Sequence, residues 1–127
     1  MKLLIDTSVL IDVLRGHEDA VAFLRDAATR DDELWSVTIV RTEVLAGMRP
    51  REQGPTMALL DALRWIDVTV DLADAAGALA RKHIRSHPGV DVADYLLAVA
   101  AQRLEARPCT MNLRHFPMFP NLQTPYA

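Results

Sequence analysis

Lys2-Leu3-Leu4-Ile5-Asp6 is the stretch of sequence on which the fold assignment rests. Three consecutive apolar residues between a lysine and an aspartate predict a short buried strand that ends at Asp6. Thr7 and Ser8 follow directly and offer hydroxyl groups that can cap a helix, whose apolar face begins at Val9. The predicted order is therefore a strand, an acidic residue and a helix.

The same alternation of strand and helix continues along the sequence. Short apolar runs predict strands at 2–5, 34–37, 66–70 and 108–111, and helical spacing predicts helices at 9–14, 20–28, 38–46, 57–63, 71–84 and 92–104. Thr38 is expected to cap the third helix, and the polar stretch 49–55 is expected to be a loop. This pattern indicates a single domain over residues 1–127 with a three-layer α/β/α fold, in which helices cover both faces of a central, mainly parallel sheet of four to five strands.

Charge and cysteine content exclude several classes of protein. The formal net charge is −3 and the sequence pI is about 5.7, the reverse of what a protein that coats nucleic acid shows. Cys109 is the only cysteine, which excludes an internal disulfide and a thiolate-rich metal site. No signal-peptide core or apolar segment of membrane-spanning length is found, so the expected location is the cytoplasm, without a membrane partner.

Three acidic side chains are candidates for a functional site. Asp6 follows a buried strand at the sheet edge where functional groups gather in parallel sheets, and Asn112 holds the equivalent position after the last predicted strand. Asp94 lies on a helix that is apolar around most of its circumference, so its carboxylate needs a hydrogen-bond donor or a cation. Alternatives are open at this point, because Asp6 can simply cap the next helix and Glu43 can be an ordinary exposed helix residue.

If these acidic groups lie close together, we expect a divalent cation to be bound between them. Two carboxylates about 4 Å apart repel each other by roughly 4 kcal/mol at an effective dielectric of about 20, and a bound cation removes that conflict. Oxygen ligands favour Mg²⁺ or Mn²⁺ over zinc, and such ions activate water for attack on a phosphodiester. Asp91, three residues before Asp94, is interpreted either as the N-cap of that helix or as a second acid at the rim of the site.

Four short motifs occur in order along the chain. They are Leu4-Ile5-Asp6-Thr7-Ser8-Val9-Leu10-Ile11-Asp12, Thr42-Glu43-Val44-Leu45-Ala46-Gly47, Asp94-Tyr95-Leu96-Leu97-Ala98 and Thr110-Met111-Asn112-Leu113-Arg114-His115-Phe116-Pro117. Together they resemble the PIN-domain family, and more narrowly the VapC-type toxins of bacterial toxin–antitoxin pairs. Their spacing covers almost the whole chain, so the resemblance implies a single PIN domain with a PIN-like fold.

The resemblance also implies roles for individual residues. Asp6, Glu43 and Asp94 match the acidic metal ligands of the family, and with Asn112 they form the implied catalytic set. Asn112 stands where the family often has a fourth acidic or amide residue, so a fourth anionic ligand is not expected. Ser8 is implied to help order metal or water near Asp6, although it can equally be a helix cap.

Activity and partners are likewise implied by the resemblance alone. Proteins of this type are Mg²⁺- or Mn²⁺-dependent endoribonucleases that cleave structured RNA such as transfer or ribosomal RNA. They pair as homodimers and are held inactive by a cognate antitoxin, in a hetero-oligomer that binds operator DNA. For this chain we therefore expect an RNA substrate, an antitoxin partner and a dimer.

Basic residues near the motifs are candidates for contacts with nucleic acid. A local basic rim can bind phosphate despite an acidic total, because affinity depends on where the arginines lie. The alternative for any single member is an ordinary solvated surface charge. The candidates are Arg15, Arg41, Arg49, Arg51, Arg114 and His115.

Two other functions compete with a nuclease. The first is a PIN-like binding protein that acts only through a partner complex on DNA, motivated by Asn112 and the low pI. The second is a phosphatase, because Asp6-Thr7-Ser8-Val9 also resembles the opening of haloacid-dehalogenase phosphatases. In those enzymes a second aspartate follows the nucleophile by two residues, and Ser8 occupies that place here.

Overall fold

The structure is a computed structural model that describes all 127 residues. Four strands alternate with six α-helices and two short 3-10 helices. The strands are β1 (Lys2–Ile5), β2 (Glu33–Val37), β3 (Arg64–Ile66) and β4 (Arg107–Cys109); the α-helices are α1 (Thr7–Leu14), α2 (Glu18–Thr29), α3 (Thr38–Ala46), α4 (Gln53–Asp61), α5 (Val70–His83) and α6 (Val92–Leu104); the 3-10 helices are Pro50–Glu52 and Leu113–His115.

All four strands are parallel and lie in the order β3-β2-β1-β4. The central strand is β1, in which Leu3 pairs with Leu34 of β2 on one side and with Arg107 of β4 on the other. The predicted parallel sheet of four to five strands is thus confirmed, with four. No helix is both long enough and apolar enough to cross a membrane.

The strand order determines where the helices lie. From β1 through β2 to β3 the chain steps in one direction across the sheet, and from β3 to β4 it returns past all of them. Because parallel crossovers are right-handed, α1 to α4 cover one face, while α5 and α6 cover the other. Helix α6 packs on β1, β2 and β4, and α5 packs on α6. The three-layer α/β fold is therefore confirmed. Its switch point, where the order of the strands reverses direction, lies between the carboxyl ends of β1 and β4.

Two strands were predicted with the wrong bounds, because side chains bind the backbone N–H groups near their ends. The third strand lies at 64–66 rather than 66–70, since the Thr69 hydroxyl accepts the N–H of Leu72 at 3.1 Å and starts α5 at Val70. The fourth strand lies at 107–109 rather than 108–111. Beyond it, the N–H of Met111 donates to a serine side chain instead of to a neighbouring strand.

The stretch 49–55 was predicted as a loop but is mostly helical. It contains the 3-10 helix Pro50–Glu52 and the start of α4, with Pro55 in the first turn of that helix. Proline is tolerated there because the first N–H groups of a helix have no partner inside it. Helix α4 was predicted to extend to residue 63 but ends at Asp61, so the buried Leu63 follows the helix.

Two predicted helix caps are absent. Neither Thr7 nor Ser8 caps α1, whose N-cap position is Asp6 without a side-chain hydrogen bond. Thr38 is the first residue of α3 rather than its cap, and its hydroxyl accepts the N–H of Val68 at 3.2 Å. The hydroxyls of these residues are used for contacts between distant segments, which local pattern rules do not foresee.

Candidate active site at the carboxyl ends of β1 and β4

Asp6 lies at the switch point of the sheet and is largely buried, with 7% of its surface exposed. Its N–H donates to the carbonyl of Cys109 at 3.0 Å, which ties it to β4. One carboxylate oxygen, Oδ2, accepts hydrogen bonds from Ser8 Oγ at 2.9 Å and from Thr110 Oγ1 at 2.7 Å. Asp6 holds the N-cap position of α1, but its side chain makes no hydrogen bond to the helix, so capping does not account for the carboxylate.

Backbone groups after β4 fix the direction of both hydroxyls. Ser8 Oγ accepts the N–H of Met111 at 3.1 Å, and Thr110 Oγ1 accepts the N–H of Asn112 at 3.0 Å. Each hydroxyl has a single hydrogen, which these contacts leave to be donated to Asp6. The two hydroxyls therefore hold Oδ2, while Oδ1 receives no hydrogen bond from the protein.

Thr110 is a residue of this site that the sequence analysis missed. It is completely buried and lies 104 positions from Asp6 in the sequence. The predicted strand 108–111 included Thr110 and so hid its position at the carboxyl end of β4, where polar side chains of neighbouring parallel strands meet at one edge. The sequence interpretation gave that position only to Asn112.

Asp94 lies on the first turn of α6 and is also buried, with 6% of its surface exposed. Its Oδ2 accepts the N–H of Asp91 at 2.9 Å and lies 3.2 Å from Nδ1 of His115. Burial, with smaller contributions from the negative charges of Asp6 and Asp91, raises the pKa of Asp94 to about 6, against the opposing effects of the Asp91 N–H and of His115. The buried carboxylates of Asp6 and Asp94 thus interact unfavourably.

Asp91 serves as the N-cap of α6. Its side chain accepts the N–H of Val92 at 2.7 Å, and it forms a reciprocal capping box with Asp94. Of the two interpretations offered by the sequence, the structure supports the cap.

Glu43 reaches the same end of the sheet from α3. It is exposed, and its Oε1 accepts a hydrogen bond from Thr7 Oγ1 at 2.8 Å, so it lies beside the residue that follows Asp6. No group of three or more acidic, histidine or cysteine side chains is close enough to hold a metal ion as the side chains stand. The ligand set of Asp6, Glu43 and Asp94 therefore stays a prediction.

The chemistry of the donors fits a hard divalent cation. Neither Asp6 nor Asp94 forms an ion pair with a lysine or arginine, although both are buried. Oδ1 of Asp6 is free of hydrogen bonds, and the nearby groups are oxygen donors of the kind that Mg²⁺ and Mn²⁺ prefer. Asn112, whose side chain is exposed and makes no hydrogen bond, adds a neutral amide at the same edge.

The arginines of the predicted basic rim lie in three different surroundings in the structure. Arg41 is engaged elsewhere, because it pairs with Asp61 at 3.4 Å and stacks on Trp65 with its guanidinium 5.2 Å from the ring. Arg114 is exposed beside His115 in the 3-10 helix that follows β4. The remaining three, Arg15, Arg49 and Arg51, line one cavity of about 520 Å³ between α1, α3 and α4.

Comparison with known proteins agrees with this architecture. The family model of the PIN domain matches residues 3–111. The chain is 43% identical to Ribonuclease VapC19 of Mycobacterium tuberculosis over 123 residues, which is 97% of this chain and 98% of that protein. It is 36% identical to Ribonuclease VapC10 of the same organism over 126 residues, 98% of this chain and 93% of that protein.

A solved structure shows the same fold. VapBC2 from Rickettsia felis, bound to a DNA fragment from its promoter, includes a chain that superposes with a TM-score of 0.78 at 21% identity, covering 98% of this chain and 97% of that one. The family model and the two relatives each extend over most of the sequence. This chain therefore belongs to the PIN-domain family and, within it, to the VapC group.

Proposed function

We propose that this chain is a Mg²⁺- or Mn²⁺-dependent endoribonuclease that acts as the toxin of a toxin–antitoxin pair. The observation that carries the proposal is the pair of buried carboxylates, Asp6 and Asp94, which repel each other, have no arginine or lysine partner, and have only the His115 imidazole beside Asp94 as a nearby basic group. Such a pair is unfavourable without a cation. The ribonuclease relatives support phosphodiester hydrolysis as the reaction.

The residues of the site have distinct tasks in this proposal. When bound, a divalent cation supplies a water of lowered pKa and stabilises charge on the phosphate. Asp6 offers its free Oδ1 to the cation while Ser8 and Thr110 hold Oδ2. Asp94 is held by the N–H of Asp91, and Glu43 joins as the third acid by a rotation away from Thr7. The amide of Asn112 orients water at the rim.

The substrate and partners are part of the same proposal, which the ribonuclease names of the relatives support in general terms. We assign structured RNA, such as transfer or ribosomal RNA in the cytoplasm, as the substrate. The Rickettsia felis structure is of a VapBC assembly, which supports an antitoxin as the partner of this chain. A homodimer and a hetero-oligomer on operator DNA are the assemblies we propose.

Purified chain incubated with total RNA tests the proposed activity. We expect cleavage with Mg²⁺ or Mn²⁺ and none when EDTA is present, because no side chain of the site is positioned to replace the cation. Cleavage that persists in EDTA would refute metal dependence. If no RNA is cut with either ion, the nuclease proposal fails.

A binding protein that acts on DNA through its partner is the second candidate. The promoter DNA in the Rickettsia felis complex favours it, as does the exposed amide at Asn112 in place of an acid. Operator binding by the complex together with RNA cleavage by the free chain would support the toxin assignment. Operator binding without any cleavage would support this second candidate.

Thr110→Val should weaken Mn²⁺ binding by about tenfold to a hundredfold, the usual effect of losing a group that orients a metal ligand. Valine has the same shape but cannot donate to Asp6 Oδ2. Thr110→Ser keeps the hydroxyl and should restore most of the affinity, measured by isothermal titration calorimetry. Ser36→Ala is the control, because that buried hydroxyl donates to the carbonyl of Ile5 and not to the acid. Equal affinities for Thr110→Val and wild type would contradict the assigned role.

A further inference from the structure

We infer that the groove lined by Arg15, Arg49 and Arg51 is a channel for the substrate strand on one side of the cleaved phosphate. This inference rests on the proposed nuclease function and deepens it. It separates these three arginines from the rest of the basic rim and gives them one task. It also predicts how much RNA the site needs on that side.

The charges in the groove favour a polyanion. All three arginines are exposed, and none forms an ion pair within the protein. They come from two segments around the cavity of about 520 Å³: Arg15 follows α1, and Arg49 and Arg51 lie at the 3-10 helix Pro50–Glu52. Glu52 is the one acidic residue of the lining, and its carboxylate accepts the N–H of Arg49 at 2.7 Å. In a protein with a net charge of −3, three unpaired arginines around one groove form a local positive site.

The groove is continuous with the acidic site. Thr7 of α1 and Glu43 of α3 are in contact at 2.8 Å, and the groove begins one turn further along the same helices, at Ile11 and Gly47. Arg15 then lies roughly 12 Å from Thr7 along α1, at a rise of about 1.5 Å per residue. A strand whose phosphate lies at the acids can therefore enter the groove directly.

An RNA strand fits this groove better than an acidic peptide. The acids repel a polyanion unless neighbouring positive charge offsets them, and the groove supplies that charge at the exit of the site. Its partly exposed apolar lining, which includes Leu14 and Met48, can contact bases, while guanidinium groups bind phosphates or stack on bases. At about 3.4 Å per stacked nucleotide, a span of roughly 12 Å holds about three to four nucleotides.

Equilibrium binding in EDTA tests the channel without cleavage. The probe is fluorescein-labelled octauridylate, followed by fluorescence anisotropy over a series of KCl concentrations. Arg15→Gln/Arg49→Gln should bind at least about tenfold more weakly than wild type, since the loss of even one charge-assisted contact costs about that factor. The slope of log affinity against log salt should fall by about 1.4, because each phosphate contact on a single strand contributes about 0.7. Arg25→Gln/Arg81→Gln is the control, with the same charge change on exposed arginines of α2 and α5.

Cleavage in Mg²⁺ tests the length requirement. Substrates in which the cut lies progressively nearer one RNA end should lose kcat/KM once fewer than about three nucleotides remain on the groove side. The double variant in the groove should no longer distinguish these lengths.

Equal binding by the groove variant and wild type, or an equal loss in the control, would overturn the channel. If the groove variant binds octauridylate normally but no longer binds polyglutamate, the channel is also overturned, in favour of a groove for an acidic peptide. Because anisotropy needs no cleavage, a chain that cuts no RNA refutes the proposed function separately.

Discussion

Asp6→Asn is expected to reduce metal-dependent RNA cleavage by more than about a hundredfold, because even the loss of a group that only orients a ligand costs up to about that factor. Asparagine is nearly the same size and shape as aspartate. Its amide oxygen can accept the hydrogen bonds from Ser8 and Thr110 that Oδ2 accepts now. The amide nitrogen then takes the place of the free oxygen and cannot bind a cation. The fold should therefore survive while the metal site is lost.

Cleavage of a labelled RNA under single-turnover conditions measures this effect. Asp12→Asn is the matched control on the same helix, since its carboxylate accepts a hydrogen bond from Tyr126 at 2.7 Å and an amide oxygen can do the same. We expect the control to cleave like wild type. Wild-type cleavage by Asp6→Asn would remove Asp6 from the catalytic set.

Asp94→Asn is expected to stabilise the metal-free protein while it abolishes cleavage. In the folded chain the pKa of Asp94 is raised from 3.8 to about 6, mainly by burial. The charged form of Asp94 therefore destabilises the folded wild-type chain. This penalty is absent below about pH 4, where the carboxyl group is protonated in both states, and the free energy of unfolding falls as pH rises through about 6. The raised pKa corresponds to roughly 3 kcal/mol of destabilisation near pH 7.5, which an amide avoids. The amide oxygen of the new side chain would still accept the N–H of Asp91, so the helix start is retained.

Urea denaturation in EDTA at several pH values checks this prediction. The stability advantage of Asp94→Asn should be largest near pH 7.5 and should disappear near pH 4. Added Mg²⁺ should stabilise wild type through binding and leave the variant unchanged. Asp91→Asn is the control, because this side chain is exposed and asparagine caps helices about as well as aspartate. A variant less stable than wild type in EDTA at pH 7.5 would contradict the assigned cost of burying the charged Asp94 carboxylate.

The sequence was informative where local pattern and burial agree. The apolar run ending at Asp6 and the nearly all-apolar helix around Asp94 predicted a strand, a helix and two buried acids, and the structure has each of them. The alternation of elements was enough to predict the parallel sheet and its three layers. In these cases one dominant force, the removal of apolar side chains from water, determines the outcome.

Contacts between distant segments were beyond a reading of local pattern. Thr110 donates to Asp6 only because β4 pairs with β1, and that pairing depends on strand order rather than on either residue's neighbours. Arg41 looked like a free cation, yet it pairs with Asp61 on the following helix. The hydroxyl of Thr7 looked like a cap but binds Glu43 of α3. Each of these outcomes was decided by tertiary packing, which outweighs local preference.

The pairing of β4 with β1 determines when the acidic site can form during synthesis of the domain. Asp6 and Ser8 leave the ribosome early, but Thr110, Met111 and His115 are added after most of the domain has been translated. A growing chain that stops before these residues lacks the hydroxyl and the backbone donor that orient the first acid. The acidic site therefore forms only late in the synthesis of this domain, once β4 and the residues directly after it have been made.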